Sequence, residues 1–132
     1  MKKIFVIAPD RSSGDAFNKE LIKKGLETFI YYPKITPRVI GNKINKDTQV
    51  EKDLAEAILF GHTKGFNKMV IACNTLQFWL EKAKRLLPIE ILKNIEIVTT
   101  FDVLRKKFPD DKNRPLLIGT TVTVSEIKDF PT

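Results

Sequence analysis

Short apolar runs alternate with helical patterns along this chain, and that alternation constrains the fold more than any other feature. The runs Lys3 to Ala8, Lys68 to Ala72, Ile95 to Val98 and Pro115 to Ile118 resemble buried strands, and turn residues and then helical spacing follow each of them. A shorter strand is predicted at Pro37 to Ile40. This alternation indicates a parallel sheet with helices on both faces. We therefore predict a three-layer α/β/α sandwich with a four- to five-stranded parallel sheet.

The helix boundaries follow from capping residues, glycines and prolines. Asp47 or Thr48 is placed to cap the second long helix, and Gly65 is placed to end it in the left-handed conformation. Pro88 stops the next helical pattern. The predicted helices run over Asp15 to Phe29, Asp47 to Lys64, Thr75 to Leu87 and Asp102 to Lys107, with a last one beginning near Ser125.

Length and composition bound the class of protein. The 132 residues, 42% of them apolar, suit a single α/β domain over 1–132 with its own core. A single cysteine cannot form an internal disulfide, and the opening MKKIFVIAPD becomes polar too soon for a signal peptide. No apolar stretch approaches the roughly 20 residues that span a bilayer. These features predict a cytoplasmic protein without a membrane partner.

The formal net charge of +7 suits an anionic partner, either a polyanion or a small carboxylate or phosphate. Lys and Arg are spread along the whole chain, and no aromatic residues alternate with them as single-strand binders require. We therefore predict no nucleic-acid partner, while a nucleic-acid or structural partner domain remains the third hypothesis behind an enzyme and a small-molecule binding module.

The one cysteine, Cys73, stands where a strand pattern gives way to a helix pattern. Ligands of open parallel sheets lie beyond the carboxyl ends of the strands, and a thiol at that place meets the positive end of a helix dipole. We expect this position to lower the pKa of the thiol toward neutrality. The alternative interpretation is a buried, inert thiol.

Four predicted loops share the carboxyl edge of the sheet and are rich in hydroxyl and amide side chains. They are Pro9 to Gly14, Cys73 to Thr75, Thr99-Thr100 and Gly119 to Thr123. Free backbone N–H groups at helix starts, together with Ser, Thr and Asn side chains, form anion sites. The same residue types also cap helices, so each loop alone has a structural explanation. Together they predict a site for a carboxylate or phosphate.

The segment MVIACNTLQFWL around Cys73 resembles the first cysteine motif of the aspartate/glutamate racemase superfamily. The segment from Leu116 to Thr123 resembles that family's later strand and Thr-rich loop, and the order and spacing of the two motifs agree. The resemblance covers nearly all of the chain and identifies it with the N-terminal half of a two-domain racemase. Gln77 departs from the family pattern, which often has His there.

The resemblance implies a cofactor-independent racemase or isomerase of a small acidic amino acid of the aspartate or glutamate type. Two cysteines flank the substrate α-carbon in that family, and one takes the proton while the other returns it on the opposite face. Cys73 would be one of these acid/base thiols, and no cofactor or metal is implied. The resemblance places substrate binding at Asn74, Thr75, Thr120, Thr121, Thr123, Pro9, Ser12 and Ser13.

The second cysteine of the family lies in a second domain, which is absent from this sequence. Cys73 alone cannot perform a two-thiol exchange, so three explanations stay open. The chain is the N-terminal half of a longer racemase, or it completes its cleft with another chain such as a homodimer partner, or it is a non-catalytic carboxylate- or phosphate-binding module on the same fold.

Overall fold

The computed structural model describes residues 2–33, 48–110, 112, 114–116 and 126–131. Within them, four parallel strands form one sheet in the order β2-β1-β3-β4. The strands are β1 (Lys3–Ile7), β2 (Glu27–Tyr31), β3 (Lys68–Ile71) and β4 (Glu96–Thr99). The predicted parallel α/β sheet is therefore confirmed, with four strands in the described part of the chain.

Helices separate the strands along the chain. They are α1 (Arg11–Lys23), α2 (Thr48–Thr63), a 3₁₀ helix (Leu76–Trp79), α3 (Leu80–Lys84), α4 (Ile89–Lys93) and α5 (Thr100–Lys107). A helix that joins two parallel strands must run back across the sheet, so these connections bring each chain segment to the same starting edge. The predicted end of the second long helix is confirmed, because Gly65 has a φ of 89° just beyond α2.

Helices cover both faces of the sheet. On one face Phe5, Ile7, Met69 and Ile71 pack against Leu54 and Ile58 of α2 and against Trp79, and all of these side chains are buried. On the other face α1 lies close to β2, since a Cβ added to Gly14 would approach Ile30 Cγ2 to 2.9 Å and Tyr32 Cε1 to 2.8 Å. This alternation of strand side chains produces the three predicted layers.

The helix predicted over Asp15 to Phe29 was wrong in its bounds, and β2 was not predicted. The helical spacing was extended from Asp15 to Phe29, but α1 begins at Arg11 and ends at Lys23, and residues 27–31 form a strand beside β1. Gly25 has a φ of 77°, which the glycine adopts without the steric cost that a Cβ would add. The chain therefore turns there, and Phe29 pairs with Phe5 instead of completing a helical stripe.

Other boundaries also differ from the prediction. The helix expected over Thr75 to Leu87 is a 3₁₀ turn followed by the five residues of α3, and α4 was not predicted. The strand Ile95 to Val98 begins and ends one residue later. Residues 114–116 are not in a strand, and the rest of that predicted strand lies outside the described residues, as do the strand Pro37 to Ile40 and the start of the last helix.

A smaller apolar cluster forms beside α5. Phe101 packs with Ile127 and Phe130, and all three side chains are buried. Arg105 and Arg114 both contact the carboxylate of Asp129 in this region. The Arg114 guanidinium lies 5.1 Å from the centroid of the Phe130 ring. The segment 126–131 is therefore held on α5 by apolar burial and by charged hydrogen bonds.

Candidate functional site

The order of the strands places a reversal of chain direction between β1 and β3. The chain leaves β1 toward β2 on one side and returns past β1 to β3 on the other. The loops after β1 and after β3 therefore diverge, and open α/β sheets bind ligands in the crevice that such a reversal leaves. Cys73 follows β3 by two residues and Asp10 follows β1 by three, so both lie at this crevice.

The Cys73 thiol is part-buried and is hydrogen-bonded to the backbone. Its Sγ accepts from the N–H of Leu76 at 3.4 Å. Burial raises the pKa of the Cys73 thiol, and the negative charge of Asp10 raises it further, while the backbone N–H groups of Leu76 and Thr75 lower it in part. The expected lowering of this pKa by a helix start was wrong in direction, because the loss of hydration outweighs the N–H groups of a single 3₁₀ turn.

Asp10 caps the start of α1. Its Oδ1 accepts from the Ser13 N–H and from the Ser12 hydroxyl, each at 2.8 Å. These hydrogen bonds lower the pKa of the Asp10 carboxyl, so it is ionised at neutral pH. Ser12 and Ser13, predicted as substrate ligands, thus lie in the first turn of α1 and contact Asp10, while Pro9 is part-buried before it. Asp10 itself was missed as a site residue, although its position before a helix was visible in the sequence.

The two residues after Cys73 differ in exposure. The Asn74 side chain is exposed, and its backbone carbonyl accepts from Gln77 Nε2 at 2.8 Å. Thr75 is buried with 5% of its surface exposed, and it precedes the 3₁₀ helix. Gln77 is likewise buried, and its hydrogen bond to the Asn74 carbonyl holds the Cys73 loop in place.

The loop after β4 contributes a complete capping box. Thr99 Oγ1 accepts from the N–H of Asp102 at 3.2 Å, and Asp102 Oδ2 accepts from the N–H of Thr99 at 2.9 Å. Thr99 is buried, so its hydroxyl serves the helix start of α5. The predicted site residues Thr120, Thr121 and Thr123 lie outside the described residues.

The described part of the carboxyl edge carries acidic side chains at helix starts. Asp10 precedes α1, Glu51 lies in the first turn of α2, and Asp102 lies in the first turn of α5. Among the described residues, no three His, Cys, Asp or Glu side chains come close enough to hold a metal ion. The negative charge of Asp10 would attract the ammonium group of an amino acid and repel an isolated anion.

A cavity of about 340 Å³ lies between the 3₁₀ helix with α3 and α5. Phe78, Ile97 and Ile127 line it with apolar surface, and Glu81, Lys84, Asp102, Arg105 and Glu126 add charge. Cys73 is not among its lining residues. Open α/β sheets bind ligands at the point where the chain reverses, and the thiol of Cys73 lies at that point and not in this cavity.

Comparison of the sequence with models of protein families and with curated proteins finds no match. No helix in the described residues is long and apolar enough to cross a membrane. The fold therefore defines the class of protein as a parallel α/β domain with a thiol at the point where the chain direction reverses, between β1 and β3.

Proposed function

We propose that this chain supplies one half of a cofactor-independent proton-transfer site for a small acidic amino acid, with Cys73 as one of two acid/base groups. One observation carries the proposal: Cys73 and the ionised Asp10 follow the two strands that flank the reversal point of a parallel sheet, and the charge of Asp10 contributes to the raised pKa of Cys73. The resemblance of the Cys73 motif and of the Thr-rich loop to the racemase superfamily supports the same assignment.

The raised pKa of Cys73 suits its thiol to give up a proton to the substrate and not to remove one. A thiol that keeps its proton at neutral pH is suited to donate it, so Cys73 would protonate the α-carbon on one face. In the family that the chain resembles, a second cysteine removes the α-proton from the opposite face, and this sequence has one cysteine. The proposal therefore takes the base from a second domain or from a second copy of this chain. After one turnover Cys73 is a thiolate and the opposite base carries the α-proton, and proton exchange with water returns both groups to their starting state.

Substrate recognition would rest on groups of both flanking loops. The Asp10 carboxylate faces the ammonium group of the substrate in this proposal, and Asn74 offers an exposed amide to a carboxylate. Thr120, Thr121, Thr123 and the first loop remain the further predicted ligands. N–H and hydroxyl donors would stabilise the charge that develops on the substrate carboxylate as the α-proton leaves.

Exchange of the α-proton of aspartate and glutamate in deuterated water tests this proposal. We expect exchange with the unaltered chain at high concentration, where a second copy can complete the cleft, and loss of at least about a hundredfold in Cys73→Ala. Cys73→Ser, which keeps the shape but has a far weaker acid, should be nearly as slow. Equal exchange rates in the unaltered and the Cys73→Ala chains would refute the role of the thiol.

A second candidate is a non-catalytic carboxylate- or phosphate-binding module. The burial of Cys73 favours it, because a thiol held in its protonated form is a poor nucleophile and a poor base. Stabilisation of the fold by dicarboxylates that persists unchanged in Cys73→Ala, without any proton exchange, would select this function over the first.

A further inference from the structure

Cations collect at the amino edge of the sheet, the edge opposite Cys73. The helix that leads into each of β2, β3 and β4 ends there, and α1 ends on Lys23 with Lys24 beyond it. Lys64 follows α2, Arg85 follows α3, and α4 ends at Lys93. Cations near a helix C-terminus offset the helix dipole, so each placement has a local reason. The parallel topology turns these local placements into one charged surface.

The strands add to the same surface where they begin. Lys3 opens β1 and Lys68 opens β3, and both side chains are exposed. Glu27 and Glu96 stand beside these lysines in the neighbouring strands, and Glu90 lies in α4. The cations still outnumber the acids. We call this surface the basic edge, and it comprises Lys3, Lys24, Lys64, Lys68, Arg85 and Lys93.

Exposed aliphatic side chains accompany the basic edge. Ile22, in the last turn of α1, has 57% of its surface exposed. Leu86 and Ile89, on either side of the turn between α3 and α4, have 51% and 61% exposed. None of the five residues of α4 is buried. Apolar side chains of this size among lysines are the composition of surfaces that lie on lipid headgroups.

We propose that the basic edge docks this protein on the surface of an anionic phospholipid membrane, with Leu86 and Ile89 entering the headgroup region. The negative surface potential of such a membrane attracts clustered Lys and Arg, and aliphatic side chains gain by leaving water. This surface would leave the crevice at Cys73 facing away from the membrane. The inference stands independently of the proposed proton transfer.

Two observations favour lipid over nucleic acid as the partner. The exposed apolar side chains of the edge are aliphatic, whereas single-strand binders present aromatic rings on which bases stack. The cations of the edge are nearly all Lys, which lacks the flat two-pronged geometry by which Arg contacts guanine. From the sequence we predicted no membrane partner and no nucleic-acid partner. The lysines of the basic edge are far apart along the chain, and only the fold brings them to one edge.

Flotation with vesicles tests the docking surface in the full chain. The vesicles contain equal parts of phosphatidylserine and phosphatidylcholine, and pure phosphatidylcholine vesicles are the comparison. We expect binding to the anionic vesicles at about 0.01 M salt and its loss at about 1 M, since the Debye length falls from roughly 30 Å to 3 Å. Lys24→Glu combined with Lys93→Glu should weaken binding by about tenfold or more.

Matched variants separate the basic edge from net charge and from general hydrophobicity. Arg11→Glu with Lys52→Glu changes net charge equally away from the edge and should bind as the unaltered chain does, apart from a small general loss. Ile89→Ser should weaken binding severalfold, whereas Val103→Ser, a change at an exposed valine of α5, should not. Equal losses in both charge variants, absence of binding to anionic vesicles, or tighter binding to duplex DNA than to those vesicles would each overturn the proposal.

Discussion

The Arg105 guanidinium donates to both carboxylate oxygens of Asp129, with Nε to Oδ2 at 2.7 Å and Nη2 to Oδ1 at 3.2 Å. Arg114 reaches the same residue from another direction, and its Nη1 lies 2.7 Å from the backbone oxygen of Asp129. The carboxylate thus joins α5 to the segment 126–131. The two arginines differ in exposure, with 41% of the Arg105 side chain exposed and 10% of the Arg114 side chain.

That difference in burial predicts different costs for the two arginines. Arg114→Lys should lower the free energy of unfolding by about 1–3 kcal/mol, because lysine cannot make the hydrogen bonds to Phe108 O and to Asp129 together and leaves part-buried acceptors without donors. Arg105→Lys should cost only about 0.5–1 kcal/mol, since the pair is solvent-screened. Urea unfolding followed by the fluorescence of the buried Trp79 measures both. Equal losses of unfolding free energy in the two variants would contradict this argument from burial.

Acid should weaken the contact between α5 and the segment 126–131 and so lower the stability of the fold. The hydrogen bond from Arg105 holds the pKa of Asp129 below its ordinary value. A depressed folded-state pKa contributes stability that is complete above the unfolded pKa of about 3.9 and is lost as the pH falls through the folded value. Stability should therefore fall below about pH 4, and less steeply in Asp129→Asn. Glu20→Gln, at the exposed pair with Lys23, is the control and should leave the acid profile unchanged.

Alkylation of Cys73 should report its environment. We expect the pH at which the thiol reacts at half its maximal rate to lie above that of a free cysteine, because burial and the Asp10 charge both raise the pKa. Asp10→Asn removes the charge while an asparagine still caps α1, so the half-maximal pH should shift downward. Asp15→Asn, on the exposed side of α1, should leave it in place. A half-maximal pH below that of free cysteine would refute the burial argument.

Close packing of α2 on β1 depends on Gly61. A Cβ at this position would lie 2.7 Å from Phe5 Cδ1, and the Phe5 ring is already packed against Phe29, Tyr31, Phe60 and Phe66. Gly61→Ala should therefore cost about 1–3 kcal/mol of unfolding free energy, despite the better helix propensity of alanine. Phe5→Leu opens space for the methyl group, so the double variant should lose less than the two single costs together. Strict additivity in thermal unfolding would argue against the contact.

The sequence predicted the elements whose signals are local. The run Lys68 to Ala72 is apolar and bounded, and Gly65 marks the end of α2 by its conformational freedom alone. The prediction for Leu26 to Phe29 was wrong because the signal that decides its structure is not local. Its side chains continue a helical spacing, and only pairing with β1 makes it a strand. Partners distant in sequence decide such segments, and a pattern within one window does not contain them.

The candidate site likewise has features that the local sequence predicts and features that depend on the fold. The place of Cys73 at the end of β3 followed from the strand pattern, but the direction of its pKa shift depends on burial by residues of other elements. Ser12 and Ser13 have hydroxyl groups that could bind a substrate, yet the Ser12 hydroxyl and the Ser13 N–H both donate to Asp10. Whether a hydroxyl caps a helix or contacts a substrate depends on a neighbour's orientation, which residue type alone does not specify.

The central position of β1 in the sheet has a consequence for synthesis on the ribosome. β1 is synthesised before β3, its partner on one side, so Phe5 can pair with Met69 only after more than 60 further residues have been made. At ordinary elongation rates of roughly 5–20 residues per second, the nascent chain exposes one edge of β1 for several seconds. During that interval α2 does not yet cover Phe5 and Phe29, so the emerging chain exposes apolar surface of the kind that chaperones bind.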